Sequence, residues 1–445
     1  MRSSNNNVLL SFVVPIYNPG DNLIRCIKSI QKQKLQSCEI ILVEDRSTDS
    51  SLEICRKFEK KYKNIRLIKH EKRMGVSISR NDGIQNSNGE FIIFVDSDDY
   101  LIENSLLSLE KYILKNRKND LIFINNYITL RDNKFFKKEY ISKRKIFKKK
   151  DILDVFLKEK DTPIECWKFI YKKFFLIKNK ILFIKKVNLG EDQAFVSKAI
   201  CKVDNLSIYS KPYYCFEVGS SNLRNRTGFN PAASLLKVIC GISELYNDEE
   251  KNYNIKIFLK NKIQKPLIEF KTQVVLLNNS QINKLSLYIK KNFQTFKKLN
   301  YLFPNNNLLL LLKKYGAEKG LNKFKNNLII KIGSLLKDKK FNNLYVFGYS
   351  FYSLAVIHAL KKKNYKVKLI LDNNSRIKKK RSLNINIVTP KIFFQRLKNR
   401  NNLLIIICNQ SKEDVLNICN QLKKFEIDKN QIIHINFENL DKGYA

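Results

Sequence analysis

A cluster of carboxylates stands directly after an apolar segment near residue 95. The segment Phe91–Val95 is followed by Asp96, Asp98 and Asp99. Three neighbouring acids repel one another unless a cation lies among them. Their hard oxygens suit Mg²⁺ or Mn²⁺, with substrate phosphates completing the coordination shell. The pattern therefore predicts a divalent-cation site for a diphosphate, and the alternative is an acidic loop that caps a helix beginning near Glu103.

Three further blocks precede this cluster and extend the pattern. They are Val13-Val14-Pro15-Ile16-Tyr17-Asn18, Val43-Glu44-Asp45-Arg46-Ser47-Thr48-Asp49, and Ser79-Arg80-Asn81-Asp82-Gly83 with Asn88-Gly89-Glu90. Together with the acidic cluster, they resemble the blocks of the inverting family 2 glycosyltransferases, which have the GT-A fold. The match covers residues 9–100 nearly continuously. The resemblance implies an enzyme that transfers a hexose or related sugar from a nucleotide donor, expected to be a UDP-sugar, to an acceptor hydroxyl.

The resemblance assigns donor-binding roles to five residues of these blocks. Pro15 and Tyr17 correspond to the family positions that surround the nucleotide base. Asp45 corresponds to a carboxylate that accepts a hydrogen bond from a uracil ring N–H, and Asp96 corresponds to the ribose contact. Arg80 stands where a cation meets the diphosphate, and the alternative for Arg80 is a surface residue of a helix.

The resemblance also implies Mn²⁺ or Mg²⁺ as the cofactor. Asp98 corresponds to a metal ligand, and Asp99 corresponds to a second metal ligand, a ribose contact or a cap of the following helix. Glu44 stands where the family usually has Asp, and Arg46 stands where it usually has Gly. These two departures affect the expected shape of the turn and the expected contact with the base.

Two later segments resemble the second half of the same family domain. They are Cys166-Trp167-Lys168-Phe169-Ile170-Tyr171 and Leu189-Gly190-Glu191-Asp192-Gln193-Ala194-Phe195. The second segment implies that Asp192 is the catalytic base, because inversion by single displacement needs one carboxylate near the acceptor hydroxyl. Glu191 is then an acceptor-side residue that orients or caps; the alternative is a plain helix N-terminus. Trp167, the only tryptophan, either stacks on the acceptor side or fills the core.

Alternating strand and helix patterns must position these residues. The predicted strands are Val8–Val14, Glu39–Val43, Ile65–Ile68 and Phe91–Val95, and the predicted helices are Asn22–Gln33, Ser51–Tyr62 and Val76–Asn86. Repeated β-α-β units predict an α/β fold with a mostly parallel sheet and helices on both faces. Ligands of such sheets bind at the carboxyl ends of the strands, so the loops after Val14, Val43 and Val95 are the expected site.

The rest of the chain predicts a helical region and a second α/β pattern. The predicted domains are a GT-A glycosyltransferase domain over 1–225, a helical extension over 226–340 and a Rossmann-like α/β module over 341–445. The predicted strands of this module are Leu344–Phe347, Lys366–Leu371, Ile385–Val388, Leu403–Cys408 and Gln431–Ile435, with helices such as Phe351–Lys361 and Glu413–Phe425 between them.

The first turn of the Rossmann-like module departs from the dinucleotide-binding pattern. Gly348 follows a strand, and Asp372 closes the next strand, as in a unit that holds a ribose. The positions of the G-x-G-x-x-G motif, however, hold Gly348, Ser350 and Ser353, so that one glycine remains. We therefore expect a module without a bound cofactor, acting in acceptor binding or oligomer contacts.

The chain is strongly basic, with 84 Lys and Arg residues against 41 Asp and Glu residues and a formal charge of +43. Lysine outnumbers arginine along the whole chain, which favours a compositional bias over a nucleic-acid partner. Residues 134–150 interleave basic and aromatic side chains, and this run is either a solvated hairpin or a contact with an anionic membrane. The competing hypothesis for the chain is a non-catalytic protein on a degenerate α/β fold that binds anionic membranes or nucleic acid.

The cysteines and histidines exclude several classes of site. Nine scattered cysteines without a C-x-x-C pair favour reduced thiols in a cytoplasm. Three distant histidines argue against a histidine-based zinc site and a Ser-His-Asp triad. The first seven residues are polar, unlike a signal peptide, and the apolar runs are too short to span a bilayer. We expect a cytoplasmic enzyme of bacterial surface-polysaccharide or lipooligosaccharide synthesis, peripheral on the inner membrane face, with a glycan or lipid-linked glycan acceptor.

Overall fold

The computed structural model describes residues 8–33, 35, 37–131, 134–139, 146–148, 156, 164–217, 229–248, 253–292, 294–295, 299, 303, 306–373, 381–397, 400, 402–408 and 412–436. The chain divides into two compact units. The first unit contains Met1–Ser221 and Lys237–Ile263, and the second contains Asn222–Leu236 and Gln264–Ala445. The three-part division at residues 225 and 340 stays a prediction. Within the described ranges, no helix has both the length and the apolar character needed to cross a bilayer.

The first unit is built on a large sheet with the strand order β3-β2-β1-β4-β10-β6-β11-β9. The strands are β1 (Leu10–Ile16), β2 (Cys38–Glu44), β3 (Ile65–Lys69), β4 (Phe91–Phe94), β6 (Leu121–Ile124), β9 (Ile146–Lys148), β10 (Phe169–Lys172) and β11 (Asn205–Tyr209). Strands β1 to β4 pair in parallel. Strand β10 is antiparallel to both of its neighbours, so the predicted mostly parallel sheet is mixed in its second half.

The parallel part of this sheet is buried along its whole length. All seven residues of β1 and all seven of β2 are buried, as expected for strands that helices cover on both faces. Parallel pairing aligns Ile16 with Glu44, so the loops that follow β1 and β2 leave the sheet at the same edge. The observed fold confirms the predicted α/β class and places the predicted site loops together.

The helices of the first unit before residue 221 include the three predicted ones. The described helices are α1 (Asn22–Gln31), α2 (Ser51–Lys61), α3 (Val76–Asn86), α4 (Leu106–Lys115), α5 (Lys173–Lys178) and α6 (Glu191–Lys202). The expected helix near Glu103 begins at Leu106, after Ser105 at its N-cap. Helix α3 packs tightly on β1, because a Cβ atom added at Gly83 would lie 2.2 Å from Cγ1 of Val13. This close packing positions the first turns of α3 at the carboxyl edge of the sheet.

A smaller sheet of the first unit was not predicted. Its strands are β5 (Tyr100–Leu101), β7 (Asn126–Arg131), β8 (Lys134–Glu139) and β12 (Tyr214–Glu217), in the order β5-β12-β7-β8. Strand β12 is antiparallel to β5 and parallel to β7, and β7 and β8 form an antiparallel pair. The first part of the predicted basic run thus forms an exposed strand, β8; residues 140–145 and 149–150 lie outside the described residues.

The second unit contains the predicted Rossmann-like sheet. Its strands are β13 (Asn343–Phe347), β14 (Val367–Leu371), β15 (Arg381–Ser382), β16 (Ile385–Val388), β17 (Leu403–Ile407) and β18 (Ile432–His434), in the order β15-β16-β14-β13-β17-β18. All pairs are parallel except β15 with β16. Helices α12 (Phe351–Lys362), α13 (Pro390–Arg396) and α14 (Lys412–Lys424) connect these strands.

The described residues that follow β12 and precede β13 in the sequence are mostly helical, as the sequence predicted. They contain α7 (Phe229–Asp248), α8 (Tyr253–Leu276), α9 (Asn279–Lys291), α10 (Asn307–Tyr315) and α11 (Ala317–Ser334). Helix α9 begins with a capping box, in which the Asn278 side chain accepts from the backbone N–H of Gln281 and the Gln281 side chain accepts from that of Asn278. Such reciprocal bonds fix a helix start.

Candidate functional site

The loops after β1 and β2 are bound to each other at the carboxyl edge of the sheet. The Asn18 side chain accepts a hydrogen bond from the Thr48 N–H at 2.8 Å and donates to the Thr48 hydroxyl at 3.1 Å. The Gly20 N–H donates to Asp49 at 3.0 Å. Because hydrogen bonds join the two loops, each loop fixes the position of the other at this edge of the sheet.

Arg80 is the centre of the charged site. Its Nη2 lies 2.9 Å from Oδ1 of Asp96, and its Nη1 lies 2.5 Å from Oδ1 of Asp192 and 3.2 Å from Oε1 of Glu191. The Arg80 side chain is only 4% exposed, whereas those of Asp96, Glu191 and Asp192 are 28%, 15% and 19% exposed. One buried guanidinium therefore gathers three partly exposed carboxylates, and the surface-helix alternative for Arg80 is wrong.

Contacts between α3 and the segment before α6 position Asp192. The Asn81 side chain exchanges two hydrogen bonds of 2.9 Å with the backbone of Phe183, and the Ser77 hydroxyl donates to the carbonyl of Val187 at 2.6 Å. Gly190 precedes α6 in the left-handed conformation, with φ of 78°. Asn81 and Ser77, which lie near Arg80 on α3, thus hold the segment before α6 in place and bring Asp192 to Arg80.

Asp192 has the electrostatic environment of a proton acceptor. Burial raises its pKa to about 7; Arg80 opposes this increase, whereas repulsion from Glu191 and Asp96 adds to it. The other carboxylate oxygen accepts from the Cys166 N–H at 3.2 Å. A carboxyl group whose pKa lies near neutral pH is suited to general acid–base work.

Asp96 and Asp99, two of the three acids after β4, bind different partners. Asp99 is 1% exposed, and its carboxylate accepts from the Tyr214 hydroxyl at 2.7 Å and from the Glu217 N–H at 2.9 Å. Burial, followed by repulsion from Asp98 and Asp96, raises the pKa of Asp99 well above its usual range. Asp99 therefore anchors the loop to β12, and it does not cap α4. Its predicted roles with metal or ribose stay predictions.

Arg25 on α1 supports the same loop from outside. Its guanidinium donates to the carbonyl oxygen of Asp98 at 2.9 Å and pairs with Glu217 at 2.5 Å. It also lies 4.6 Å from the centre of the Tyr100 ring. The loop that carries Asp98 is therefore held between α1 and β12.

Asp45 makes more hydrogen bonds within the protein than the resemblance implies. It is 2% exposed and accepts from the backbone N–H groups of Met74 and Gly75 at 2.6 and 2.8 Å. The ring of His70 lies between Asp45 and Asp82, with nitrogen–oxygen distances of 2.8 and 2.9 Å. Asp45 thereby fixes the loop that leads into α3, and its predicted hydrogen bond to a uracil ring stays a prediction.

The predicted base-binding positions lie at the end of β1. Pro15 is buried within the strand, and Tyr17 is half-buried beneath the guanidinium of Arg73, which lies 3.8 Å from the ring centre. At the end of β2, the buried Glu44 accepts from the Ser47 N–H at 2.5 Å. Arg46 has a φ of 60°, so the turn keeps the left-handed conformation that a glycine would adopt more easily.

Trp167 lies in the core, which was the second of its two alternatives. The side chain is 3% exposed and stacks on Tyr214 at a centroid distance of 4.4 Å and an interplanar angle of 6°. Phe216 and Tyr127 complete its aromatic surroundings. Glu191 is bound to Arg80 in the charged site, and its acceptor-side role stays a prediction. Of the two predicted acceptor-side residues, the structure brings only Glu191 to the charged site.

A metal at this edge would need ligands from the substrate. Within the described residues, no group of three His, Cys, Asp or Glu side chains converges closely enough to hold a metal ion. Asp96 and Asp98 remain the partly exposed acids of the loop, and their hard oxygens fit a divalent cation whose other ligands are diphosphate oxygens. The donor set thus fits a cation that arrives with a diphosphate.

Three residues of the site were missed in the sequence. His70 lies two residues after the end of the predicted third strand, so its place near the carboxyl edge could have identified it. Arg25 and Tyr214 carry no such signal, because their contacts with the acid loop join residues 73 to 118 positions apart.

Comparison with known proteins identifies the family. Residues 11–178 match the family described as Glycosyl transferase family 2. The chain is 30% identical over 258 residues to the poly(ribitol-phosphate) beta-N-acetylglucosaminyltransferase TarP of Staphylococcus aureus (strain N315), an alignment that covers 55% of this chain and 76% of that protein. This chain belongs to glycosyl transferase family 2.

Other glycosyltransferases match over shorter stretches. The chain is 42% identical over 119 residues to the glycosyltransferase GlyG of Streptococcus pneumoniae serotype 4, covering 27% of this chain and 39% of GlyG. It is 32% identical over 216 residues to a poly(ribitol-phosphate) beta-glucosyltransferase of Bacillus spizizenii, covering 47% of this chain and 32% of that protein. The chain thus spans less than half the length of these two relatives.

Proposed function

We propose that this chain transfers a sugar from a nucleotide-sugar donor, specifically a UDP-sugar, to an acceptor hydroxyl with inversion. The convergence of Asp96 and Asp192 on one guanidinium carries this proposal. It joins the acid loop after β4, the expected donor side, to a carboxyl group whose pKa is about 7. Membership of the family supports the same reaction class.

The proposed reaction is a single displacement. The carboxylate of Asp192 removes the proton of the acceptor hydroxyl, and the acceptor oxygen forms a bond to the anomeric carbon. The bond between that carbon and the diphosphate oxygen breaks, and its electron pair leaves with the nucleoside diphosphate. Arg80 holds Asp192 in place during the step and favours the charged form of the carboxylate. Glu191 orients the same guanidinium.

We propose a Mn²⁺ or Mg²⁺ cofactor, held by Asp98 and, on the predicted assignment, Asp99. Such a cation would stabilise the charge that develops on the leaving diphosphate. Asp98 is the better supported ligand, since its side chain is partly exposed, whereas Asp99 already accepts two hydrogen bonds from the protein. Asp96 and Arg80 remain the proposed contacts of the ribose and the diphosphate.

Turnover of nucleotide sugars tests this proposal. A panel of UDP-, GDP- and CMP-sugars is incubated with the full chain and Mn²⁺ or Mg²⁺, and hydrolysis or transfer is measured. We expect turnover of a UDP-sugar, loss of activity in excess chelator and loss in Asp98→Asn, with the exposed Asp338→Asn as the matched control. Full turnover in chelator would contradict the metal, and no turnover of any donor would contradict the reaction.

The acceptor that we propose is a hydroxyl of a bacterial surface glycan. Two relatives are named for transfer to poly(ribitol-phosphate), a polymer that carries negative charge. Poly(ribitol-phosphate) and lipid-linked glycans are therefore the first acceptors to compare in the transfer assay.

We further propose that β8 contacts the anionic lipid of the membrane that carries such acceptors. All six residues of β8 are exposed, with Phe135 66% and Phe136 46% exposed beside Lys134, Lys137 and Lys138. Phe135 also lines a groove of about 900 Å³ together with basic residues of α1. Aromatic side chains at the headgroup boundary and lysines near anionic lipid both favour surface binding.

Vesicle co-sedimentation tests the membrane contact. Wild type should sediment with anionic phosphatidylserine vesicles at low salt and release at high salt. The variant with Lys134, Lys137 and Lys138 changed to Gln should lose binding. A control with the exposed Lys57, Lys60 and Lys63 changed to Gln removes the same charge from α2 and the residues after it. Equal sedimentation of both variants would assign the attraction to the diffuse charge of the chain.

A further inference from the structure

The second unit contains a cavity of about 490 Å³ with a basic wall. Lys325 of α11 and His358 and Lys362 of α12 form this wall, and the start of α9 faces them. None of the lining residues, all of which lie in the described part of the chain, is acidic. The cavity volume lies within the range of small-molecule pockets.

The cations of this wall repel one another. Burial, followed by the charge of Lys362, lowers the pKa of Lys325. Burial, followed by the charges of Lys325, Lys362 and Lys361, lowers the pKa of His358. A set of like charges around one cavity destabilises the fold unless a counter-charge lies among them, in the same way as a set of acids.

One polar atom of the wall is buried without a partner. Nε2 of His358 makes no hydrogen bond in the described structure, although it is shielded from solvent. Buried polar atoms are normally paired, so an orphaned nitrogen at a cavity wall points to a missing partner. The His358 side chain is half-buried, and a turn of its ring toward the cavity would let an oxyanion accept a hydrogen bond from this nitrogen in its N–H form.

The start of α9 contributes donors of the same kind. Asn279 and Ser280 are its first two residues and line the cavity. Backbone N–H groups at these positions have no intrahelical acceptor, and the capping box uses the N–H groups of Asn278 and Gln281 instead. A helix N-terminus favours negative charge, and α9 has 13 residues.

We propose that this cavity binds the phosphate group of a small phosphorylated molecule, with Lys325, His358, Lys362 and the N-terminus of α9 as its partners. The cavity has room for more than the phosphate itself, and Leu276 and Leu277 supply an apolar side for the attached group. The site belongs to the second unit and is independent of the transferase reaction proposed for the first.

Histidine NMR provides a direct test, because the chain has only three histidines. The full chain carrying ¹³C-labelled histidine is titrated with inorganic phosphate and, separately, with glucose 6-phosphate and glycerol 3-phosphate. The ionic strength is matched with sodium chloride. The signal that His358→Gln removes should shift with saturation, and sodium chloride alone should leave it unchanged. If none of the three phosphate compounds shifts the His358 signal, the proposal is wrong.

Charge-removing variants make the test independent of the histidine substitution. Lys325→Gln with Lys362→Gln should weaken phosphate binding at least about tenfold. Lys319→Gln with Lys366→Gln removes the same charge from exposed positions outside the cavity and should leave it unchanged. Equal weakening in both pairs would overturn the proposal, since general attraction would then explain the binding.

A comparison of inorganic phosphate with the two phosphate esters shows which kind of phosphate the cavity binds. Tighter binding of either ester than of inorganic phosphate identifies a phosphate monoester as the ligand, and equal binding identifies the free anion. Transferase activity of the Lys325 and Lys362 variant should equal that of wild type. A failure of the proposed sugar transfer would therefore leave this result unaffected.

Discussion

The parallel parts of the two α/β sheets of this chain use their carboxyl edges differently. In the first unit, Asp96 and Asp192 meet at Arg80 and keep part of their surface exposed. In the second unit, Asp372 follows β14 at the equivalent edge and accepts the N–H of Tyr349 at 2.6 Å. The Ser350 and Ser353 side chains and backbone N–H groups bond to each other at the start of α12. The same topology thus gives an edge with partly exposed charged groups in one sheet. In the other sheet, the polar groups at the edge bond to one another.

This difference shows what makes a sheet edge available for chemistry. The turn after β13 has Gly348 at a φ of 90°, but side chains of the turn occupy the N–H groups that a pyrophosphate would need. At the first edge, one guanidinium faces three carboxylates, so negative charge is in excess. An incoming divalent cation would offset that excess and could bind the donor diphosphate at the same time.

Loss of the base should have the largest effect on the first edge. Asp192→Asn keeps the shape of the side chain but removes its capacity to accept a proton at neutral pH. We expect kcat to fall at least about a hundredfold, the usual scale for losing acid–base help. Steady-state kinetics with the UDP-sugar measure kcat, and calorimetry with UDP and Mn²⁺ measures donor affinity.

The donor affinity decides between two roles for Asp192. Unchanged UDP affinity is the result expected for a base that acts on the acceptor. A parallel collapse of UDP binding would make Asp192 a donor-site or structural residue. Asp372→Asn serves as the matched control, because it alters the corresponding edge of the other sheet and should leave kcat unchanged.

Weakening the guanidinium should have a smaller, pH-dependent effect. In Arg80→Lys, a single ammonium group replaces the guanidinium, whose two Nη atoms pair with carboxylates on two sides. We expect kcat to fall about tenfold at pH 7, on the order of 1.4 kcal/mol in the barrier. Arg80 lowers the pKa of Asp192, so a looser pairing raises it. Because the base must be unprotonated, the variant should lose more activity at pH 6 than at pH 9.

The kcat–pH profile provides the measurement for Arg80. The rising limb of wild type should have its midpoint at about 7, the pKa of Asp192, and the limb of the variant should lie at higher pH. Arg117→Lys is the control, because Arg117 pairs with Glu90 at an exposed position away from the cluster. A loss of equal size at every pH, with an unmoved midpoint, would refute the positioning role.

A substitution at the carboxyl edge of the second sheet should change the stability of the fold and not the binding of a cofactor. Asp372→Asn removes the charge that accepts the Tyr349 N–H, and hydrogen bonds to charged groups contribute about 1.5–3 kcal/mol. We expect a lower melting temperature by scanning calorimetry. We also expect no saturable heat with NAD⁺ or NADP⁺ at about 1 mM in either form of the full chain, which corresponds to less than about 4 kcal/mol of binding. A micromolar dissociation constant would remove the distinction between the two edges.

Local patterns in the sequence predicted most of both sheets. Helix α3 has its predicted bounds, Val76–Asn86, and β16 has its predicted bounds, Ile385–Val388. Both lie in segments whose apolar spacing and flanking residues agree. Helix α13 was missed, although Thr389 and Pro390 are a typical helix start. The antiparallel strand β10 was read only as a sequence motif, because a four-residue strand carries little periodicity.

The contacts that make the site could not be read from local patterns. Arg80 was assigned to a diphosphate, and its partners Glu191 and Asp192 lie 111 and 112 positions away. Trp167 had two open alternatives, and its packing against Tyr214, Phe216 and Tyr127 on distant strands decides for the core. Residue types thus indicated where charge would gather, while tertiary packing determined which side chain meets which.

The smallest predicted effect concerns the turn after β2. Arg46 has a φ of 60°, a conformation that costs a residue with a side chain about 1–2 kcal/mol. Arg46→Gly removes this strain, and the greater freedom of glycine in the unfolded chain offsets about 0.5–1 kcal/mol of the gain. We expect the melting temperature to rise by at most about 2–4 °C. Leu383→Gly, at a φ of 49° in the second unit, should act in the same direction. If Arg46→Gly instead lowers the melting temperature or raises the KM for the donor while Leu383→Gly does neither, the Arg46 side chain has a role at the reactive edge that outweighs its strain.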